Sequence, residues 1–226
     1  MTKKIFSWLG KEFVELSSEA QSGGTATEQA RQIFLRFDQE LRAMGLSLDH
    51  TVRTRLWGRD RESRNLGSEE RVRALSGKAR SASSSYIAPD HFDSNACVAL
   101  DLLVMSPSRA GAEKNLKEYD PPIVPLRYLI YDSVVFLSGV TAVRPTLEDQ
   151  LTDILPRISA SLADAGSSWD RVVKVSFYLH RSQKLETLRA LFRKTVTADI
   201  PRMECSFVDG YSAEGKLIEI ETTARR

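Results

Sequence analysis

Apolar residues in this chain follow two spacings, one typical of strands and the other typical of helices. Residues 134–137 are a run of branched and aromatic residues, which predicts a buried strand ended by Ser138 and Gly139. Between Thr146 and Gly166 the apolar residues recur at steps of three and four, which predicts a helix with one buried face. Residues 172–179 are again strand-like. The order strand, helix, strand predicts a sheet covered by a helix.

The same pattern occurs in the first half of the chain. Moving the sequence by 121 positions, the distance from Gly45 to Gly166, aligns residues 13–60 with the second half without a gap. The turn, the helix cap and the apolar helix face all coincide, so we expect two copies of one fold. We predict domains at residues 1–106 and 126–226. Residues 107–125 are predicted to be a linker, because Gly111 and the prolines at positions 121, 122 and 125 interrupt helix and strand patterns.

Two stretches of the first half are predicted less directly. Residues 68–75 favour a short second helix with Ser68 as its N-cap. The serine-rich residues 81–85 are predicted to be a loop. Between Arg53 and Arg80 basic residues outnumber acidic ones, which is typical of a solvated face; an RNA-binding patch is the alternative.

Composition adds limits to this picture. The chain has 226 residues, 42% of them hydrophobic, and a formal net charge of +2, so the overall charge favours neither nucleic acid nor a membrane. No run approaches the roughly 18 apolar residues of a membrane span. Cys97 and Cys205 lie in strand-like surroundings and the three histidines lack ligand spacing, so we expect a cytoplasmic protein with no metal and no cofactor.

The last predicted strand carries the candidate chemistry. In residues 216–221 alternation places Ile218 and Ile220 on one face and two carboxylates, Glu219 and Glu221, on the other. On an isolated domain these carboxylates would be solvated. A second domain covering that face would raise a carboxyl pKa or order a water, as a general acid or base requires.

Five segments of the second half occur in a characteristic order and spacing: Ser138-Gly139, Gln150, residues 165–174, residues 201–205 (Pro-Arg-Met-Glu-Cys) and residues 218–224. In these segments the second half resembles the RidA/YjgF family of reactive intermediate deaminases. The first half resembles a diverged member, with Ala99 and Asp101 in place of the terminal acids. The resemblance implies an α+β fold of two chorismate-mutase-like domains, each a mixed sheet backed by two helices. It also implies a homo-oligomer with trimeric or pseudo-trimeric domain packing and clefts between domains.

The resemblance further implies hydrolysis of imines or enamines of 2-keto acids, with an arginine binding the substrate carboxylate and a glutamate positioning water. Glu219 keeps that glutamate and Cys205 keeps the motif cysteine, although a structural thiol is the simpler interpretation of Cys205. The motif arginine is replaced by Met203, and Arg202 lies one residue early. The candidate substrate-binding residues are therefore spread over both halves: Arg80, Ser138, Gly139, Arg144, Arg189 and Arg202.

Three functions remain open at this point. A composite site, with Arg80 facing Glu219 across a domain boundary, would restore the catalytic pair for a small anionic substrate. Loss of the motif arginine would instead leave a binding module without chemistry. The third alternative is an RNA-binding or endoribonuclease-like protein that uses the basic residues of the first half.

Overall fold

In the computed structural model, which describes residues 1–21, 23–107 and 112–226, the chain forms two sheets with helices packed on each. The first sheet has the strand order β1-β2-β5-β3-β4. Its strands are β1 (Thr2–Trp8), β2 (Lys11–Glu19), β3 (Thr51–Gly58), β4 (Ala82–Ile87) and β5 (Val98–Met105), and its helices are α1 (Ala26–Arg42) and α2 (Arg61–Ala74).

The second sheet has six strands in the order β10-β9-β11-β8-β7-β6. They are β6 (Lys114–Lys117), β7 (Tyr128–Tyr131), β8 (Val134–Thr141), β9 (Val172–His180), β10 (Met203–Val208) and β11 (Ile218–Arg225), with helices α3 (Leu147–Asp164) and α4 (Leu185–Thr195). Both sheets are mixed, because β3 pairs with β4 and β9 with β10 in parallel. The predicted α+β class with two helices per sheet is confirmed.

The two halves repeat the same order of elements, which is consistent with two copies of one fold. Helices α1 and α3 both begin after a threonine, Thr25 or Thr146, whose side chain accepts a hydrogen bond from the helix backbone. Both are followed by a glycine with positive φ, Gly45 at 71° and Gly166 at 73°. A side chain is strained in that left-handed conformation, so a glycine ends each helix.

Each half has its own apolar core between its sheet and its helices. Two further clusters join the halves. One contains Phe13 and Phe136, and the other contains Trp57, Tyr86 and Tyr178. Strand β4 lies against β8, so the faces of the two sheets that do not pack on helices meet at a seam. This seam contains the residues of the candidate site.

The serine-rich stretch differs from its predicted loop. It forms strand β4, which pairs in parallel with β3 and is buried at the seam. Serine favours turns because its hydroxyl competes with the backbone for hydrogen bonds. Here the hydroxyls of Ser84 and Ser85 form hydrogen bonds with side chains on other elements, so they do not compete for the backbone hydrogen bonds of the strand.

Three other boundaries also differ. Helix α2 begins after Asp60, whose carboxylate accepts from the Ser63 backbone, well before the predicted N-cap at Ser68. Strand β8 runs through Ser138 and Gly139 to Thr141. The predicted linker contains strand β6, which pairs with β7, and its residues 108–111, Gly111 among them, lie outside the described residues.

Candidate active site at the seam

Strand β11 delivers two carboxylates to the seam. Ile218 and Ile220 pack in the core of the second half, so Glu219 and Glu221 point away from it, as alternation predicts. Glu219 is only 6% exposed and Glu221 only 2% exposed, because the first half covers that face. The two acids therefore lie in the interior between the halves.

Glu221 is held as a carboxylate by two arginines of the first half. Arg53 lies 3.1 Å and Arg55 2.7 Å from its Oε2, and the Ser84 hydroxyl donates to Oε1. Burial alone would raise the pKa of Glu221. The charges of Arg53 and Arg55, together with these hydrogen bonds, outweigh burial and lower its pKa to about 2. Glu221 thus joins the halves and has no proton to exchange near neutral pH.

The surroundings of Glu219 shift its pKa in the opposite direction. Burial is the largest influence and raises its pKa to about 7, with the negative charge of Glu221 acting in the same direction. Lys216, Arg64 and a hydrogen bond from Tyr86 partly offset this rise. The Tyr86 hydroxyl donates to Glu219 Oε1 at 3.3 Å. Glu219 can therefore give or accept a proton near neutral pH, which a general acid or base requires.

Glu219 borders a cavity of about 540 Å³ at the seam. This volume is in the range typical of sites for small molecules. Helix α2 and strand β4 of the first half form one wall, and strands β8 and β11 of the second half form another. The polar lining includes Arg64, Arg71, Ser83, Ser84, Ser85, Tyr119, Arg157, Lys216 and Glu219.

Two arginines of α2 face this cavity without a carboxylate partner. Among the described residues, neither Arg64 nor Arg71 forms an ion pair. Arg71 is 5% exposed and donates to the Ser84 carbonyl at 2.5 Å. Arg64 donates to the Ser85 hydroxyl, while its buried Nε lacks any partner in the described part of the chain. Buried cations without a counter-charge are costly, so this wall is suited to bind an anion.

The absence of a side chain at Gly139 leaves room for the Glu219 carboxylate. A Cβ added at Gly139 would lie 1.9 Å from Glu219 Oε1 and 2.6 Å from its Cδ. No such separation is sterically possible, so any side chain at position 139 would displace the carboxylate. The register between β8 and β11 also shifts at this point, between Ile220 and Thr222.

Comparison with known proteins agrees with this architecture. Residues 122–226 match the model of the endoribonuclease L-PSP family. The second half of the chain is therefore similar in sequence to the RidA/YjgF family. No curated protein sequence matches the chain significantly.

Solved structures add a match in fold over nearly the whole chain. A chorismatase is 16% identical, with a TM-score of 0.66 over 98% of this chain and 79% of its own, which shows a shared fold across both halves. A Rid family protein of unknown function from Yersinia pestis is 20% identical over 50% of this chain and 99% of its own, with a TM-score of 0.46. A YjgF/YER057c/UK114 family member from Mycobacterium tuberculosis is 21% identical over 50% of this chain and all of its own, with a TM-score of 0.44.

The structure brings only some of the predicted site residues to Glu219. Gly139 contacts it, and Ser138 lies beside it on β8, where its hydroxyl accepts from the Ser83 backbone. Arg80 does not face Glu219: it lies in the turn before β4 and pairs with Glu118. The offset of 121 residues explains this position, because Met203 at the start of β10 corresponds to Ala82 at the start of β4.

The other predicted residues lie away from the cavity. Arg144 pairs with Asp153, and Arg202 pairs with Glu204. Arg189 is exposed on α4. Cys205 packs beside the core of the second half, where burial raises the pKa of its thiol. A raised pKa makes Cys205 a poor nucleophile, so its surroundings fit a structural role.

Sequence reasoning missed Arg64 and Arg71 as site residues. Both are among the basic residues predicted to form a solvated face, yet Arg71 is buried, as is Arg53. The sequence does contain an indication of this arrangement: Arg64 and Arg71 are seven residues apart, a spacing that places both side chains on one face of a helix. The helix was predicted to begin only at Ser68, so Arg64 lay outside it and the shared face could not be recognised.

The described residues give no sign of a metal site or a membrane span. No group of three or more histidine, cysteine or acidic side chains in residues 1–21, 23–107 and 112–226 is arranged to hold a metal ion. Within the same ranges, no helix has the length and apolar character to cross a bilayer.

Proposed function

We propose that the protein hydrolyses an imine or enamine of a small anionic metabolite at the seam between its halves. One observation carries this proposal: Glu219, with a pKa of about 7, lies in the same cavity as Arg64 and Arg71, which have no carboxylate partner among the described residues. An acid that exchanges protons near neutral pH stands beside cations that would bind a substrate carboxylate.

The chemistry follows from these groups. A protonated imine in the cavity is attacked at carbon by water as the Glu219 carboxylate removes a proton from that water. The resulting carbinolamine takes the proton from Glu219 on its nitrogen. As the carbon–nitrogen bond then breaks, the Glu219 carboxylate passes the hydroxyl proton to the departing ammonia, and a 2-keto acid and ammonium leave. Arg71 and Arg64 would hold the substrate carboxylate throughout, which positions the reacting carbon near Glu219.

The arginines replace, in function, the motif arginine that the sequence lacks at Met203. They reach the cavity from α2 of the first half, so both halves contribute to the proposed site. Arg71 is buried next to Arg64, and both influences lower its pKa to about 10. It therefore remains protonated at neutral pH and retains its charge for a carboxylate.

The test measures ammonia release from 2-imino acids made in situ by an amino acid oxidase, above the spontaneous rate. Glu219→Gln should lower kcat by 100-fold or more, as expected for loss of a general acid or base. Arg71→Met should lower kcat/KM by about 10- to 100-fold, because one charge-assisted contact is lost. Arg73→Met is the matched control, since Arg73 lies on the same helix and pairs with Glu70 outside both the Glu219 cavity and the groove beside it. Activity unchanged in Glu219→Gln would refute the proposal.

A second candidate is hydrolysis of an enol ether such as that in chorismate, the compound that gives the solved chorismatase its name. The likeness to that structure supports the fold alone. The observation that favours this second function is Lys216, a third cation that lines the cavity without an ion-pair partner in the described residues. Chorismate carries two carboxylates, so it could use the additional cation. The pH profile separates the candidates. Protonation of an enol ether needs the acid form of Glu219, so its rate would fall as pH rises through about 7, whereas imine hydrolysis would rise.

The remaining alternatives are outcomes of the same tests. Binding of 2-keto acids without turnover would indicate a binding module. RNA binding has less support, because Arg53 and Arg71 are buried at the seam and unavailable to a phosphate backbone. Salt-dependent RNA retention that is lost when Arg59, Arg61 and Arg64 are neutralised would favour it.

A further inference from the structure

A second cavity continues from the Glu219 site along helix α2. It measures about 670 Å³ and ends near Arg80. The two cavities share the walls made by Arg71, Val72 and Ser83 on one side and by residues 123–125 on the other. Because Arg71 lines both, a molecule bound to it can extend from the Glu219 cavity into this groove.

The groove is lined mainly by apolar residues, whereas the first cavity is lined by several charged ones. Leu75 and Leu126 form its buried floor. Its rim carries Val72, Ile123 and Val124, which are 45%, 53% and 63% exposed. Three exposed branched residues around one groove form an apolar patch, and such patches commonly mark binding sites.

The segment that carries Ile123 and Val124 is anchored at both ends. Glu118 pairs with Arg80 on one side of the groove, and Leu126 is buried between the halves on the other. The backbone of Arg127 also donates to the Lys117 carbonyl at 2.9 Å. These anchors hold residues 118–125 as a wall over the groove. Arg80, a candidate substrate-binding residue from the sequence, thus fixes a boundary of the groove.

We propose that this groove binds the hydrocarbon part of the substrate whose carboxylate lies at Arg71. The substrate class is then a carboxylic acid with an extended or branched apolar group, larger than a three-carbon imino acid. This inference rests on the proposed function for the position of the carboxylate. It is favoured by continuity of the groove with the charged cavity and by their complementary character, cationic at one end and apolar at the other.

Titration calorimetry with straight-chain 2-oxo acids, from pyruvate to 2-oxohexanoate, tests the inference. Each added methylene that is buried should tighten binding by about threefold to fourfold. Ile123→Ser should flatten this dependence, weakening the binding of 2-oxohexanoate more than that of pyruvate, because only the longer acid extends along the groove wall. Val143→Ser is the matched control, because Val143 has the same 53% exposure as Ile123 and lies outside the groove lining. Arg71→Met should weaken every acid of the series to a similar degree.

The outcomes separate the two proposals. If wild-type protein binds all the acids equally and Arg71→Met weakens them, the groove does not hold the chain, while the charged site stands. If no acid binds, the proposed site fails and the groove proposal with it. Long acids whose affinity is indifferent to Arg71→Met would overturn the shared orientation. Concentration-dependent dimerisation abolished by Ile123→Ser would show that the groove is an interface between copies.

Discussion

Glu219 and Glu221 are two residues apart on one strand, yet their surroundings give them opposite roles. Arg53 and Arg55 lower the pKa of Glu221 to about 2, whereas burial without an ion-pair partner in the described residues raises the pKa of Glu219 to about 7. A pair of acids with separated pKa values provides one fixed charge and one exchangeable proton. The fixed charge joins the halves, and the exchangeable proton lies at the edge of the cavity.

This difference predicts how stability depends on pH. The folded protein keeps the proton on Glu219 at pH values where the unfolded chain has lost it. The stabilising contribution of Glu219 is therefore full below pH 4.5 and is lost as pH rises through about 7. The loss amounts to about 3 kcal/mol, at 1.36 kcal/mol per pKa unit. Glu221 does not interfere, because its contribution is lost only as pH falls below 4.5 toward 2.

Urea unfolding at pH 5 and pH 8, on wild type and Glu219→Gln, measures the effect. Glutamine resembles the protonated acid and does not titrate, so the variant should gain about 2.5 kcal/mol relative to wild type between the two pH values, because part of the loss has already occurred by pH 5. Histidine titration is common to both proteins and cancels in the difference. A difference that stays constant with pH would show that Glu219 is not held protonated by its surroundings.

At the level of elements, the approach of β8 to β11 depends on Gly139. Gly139→Ala would place a Cβ 1.9 Å from Glu219 Oε1, so the carboxylate must rotate away. We expect kcat for imine hydrolysis to fall by 10-fold or more with a smaller change in KM, because Gly139 acts through the position of Glu219. The double variant Gly139→Ala/Glu219→Gln should be no slower than Glu219→Gln alone. Additive losses would instead indicate that Gly139 contacts the substrate itself.

Much of the element order follows from the sequence. The helix spacing, the threonine caps and the paired glycines of α1 and α3 predict both sheet-and-helix units, because these signals are local. Strand β4 could not be predicted in the same way. Its serines form a strand only because β3 and the second half supply partners for their backbone and hydroxyl groups.

Only the residues that the second half contributes to the candidate site could be predicted from the sequence. Alternation along β11 places Glu219 and Glu221 opposite the core, which is a local property of the strand. The arginines that face Glu219 come from α2, more than 140 residues earlier. Arg80 has the motif's neighbours in sequence, whereas Arg71 lines the cavity that Glu219 borders. Only the packing of the two halves distinguishes them.

At the scale of the whole molecule, a buried charge cluster crosses the seam. Arg53 and Arg55 of the first half bind Glu221 of the second, and Arg53 also donates to the Leu137 carbonyl at 3.0 Å. Removing one member of a buried ion pair leaves its partner charged without compensation. The halves should therefore lose their association when this cluster is broken, even though each has its own apolar core.

Glu221→Gln should lower the free energy of unfolding by about 3–5 kcal/mol, because two buried arginines lose their counter-charge. Glu204→Gln is the matched control: Glu204 also binds two cations, Lys174 and Arg202, but its side chain is 39% exposed, so the cost should be below about 1 kcal/mol. Calorimetry measures both effects. Separation of a single unfolding transition into two in Glu221→Gln would show that the cluster couples the halves. A loss no larger than that of Glu204→Gln would mean that apolar packing alone holds the seam closed.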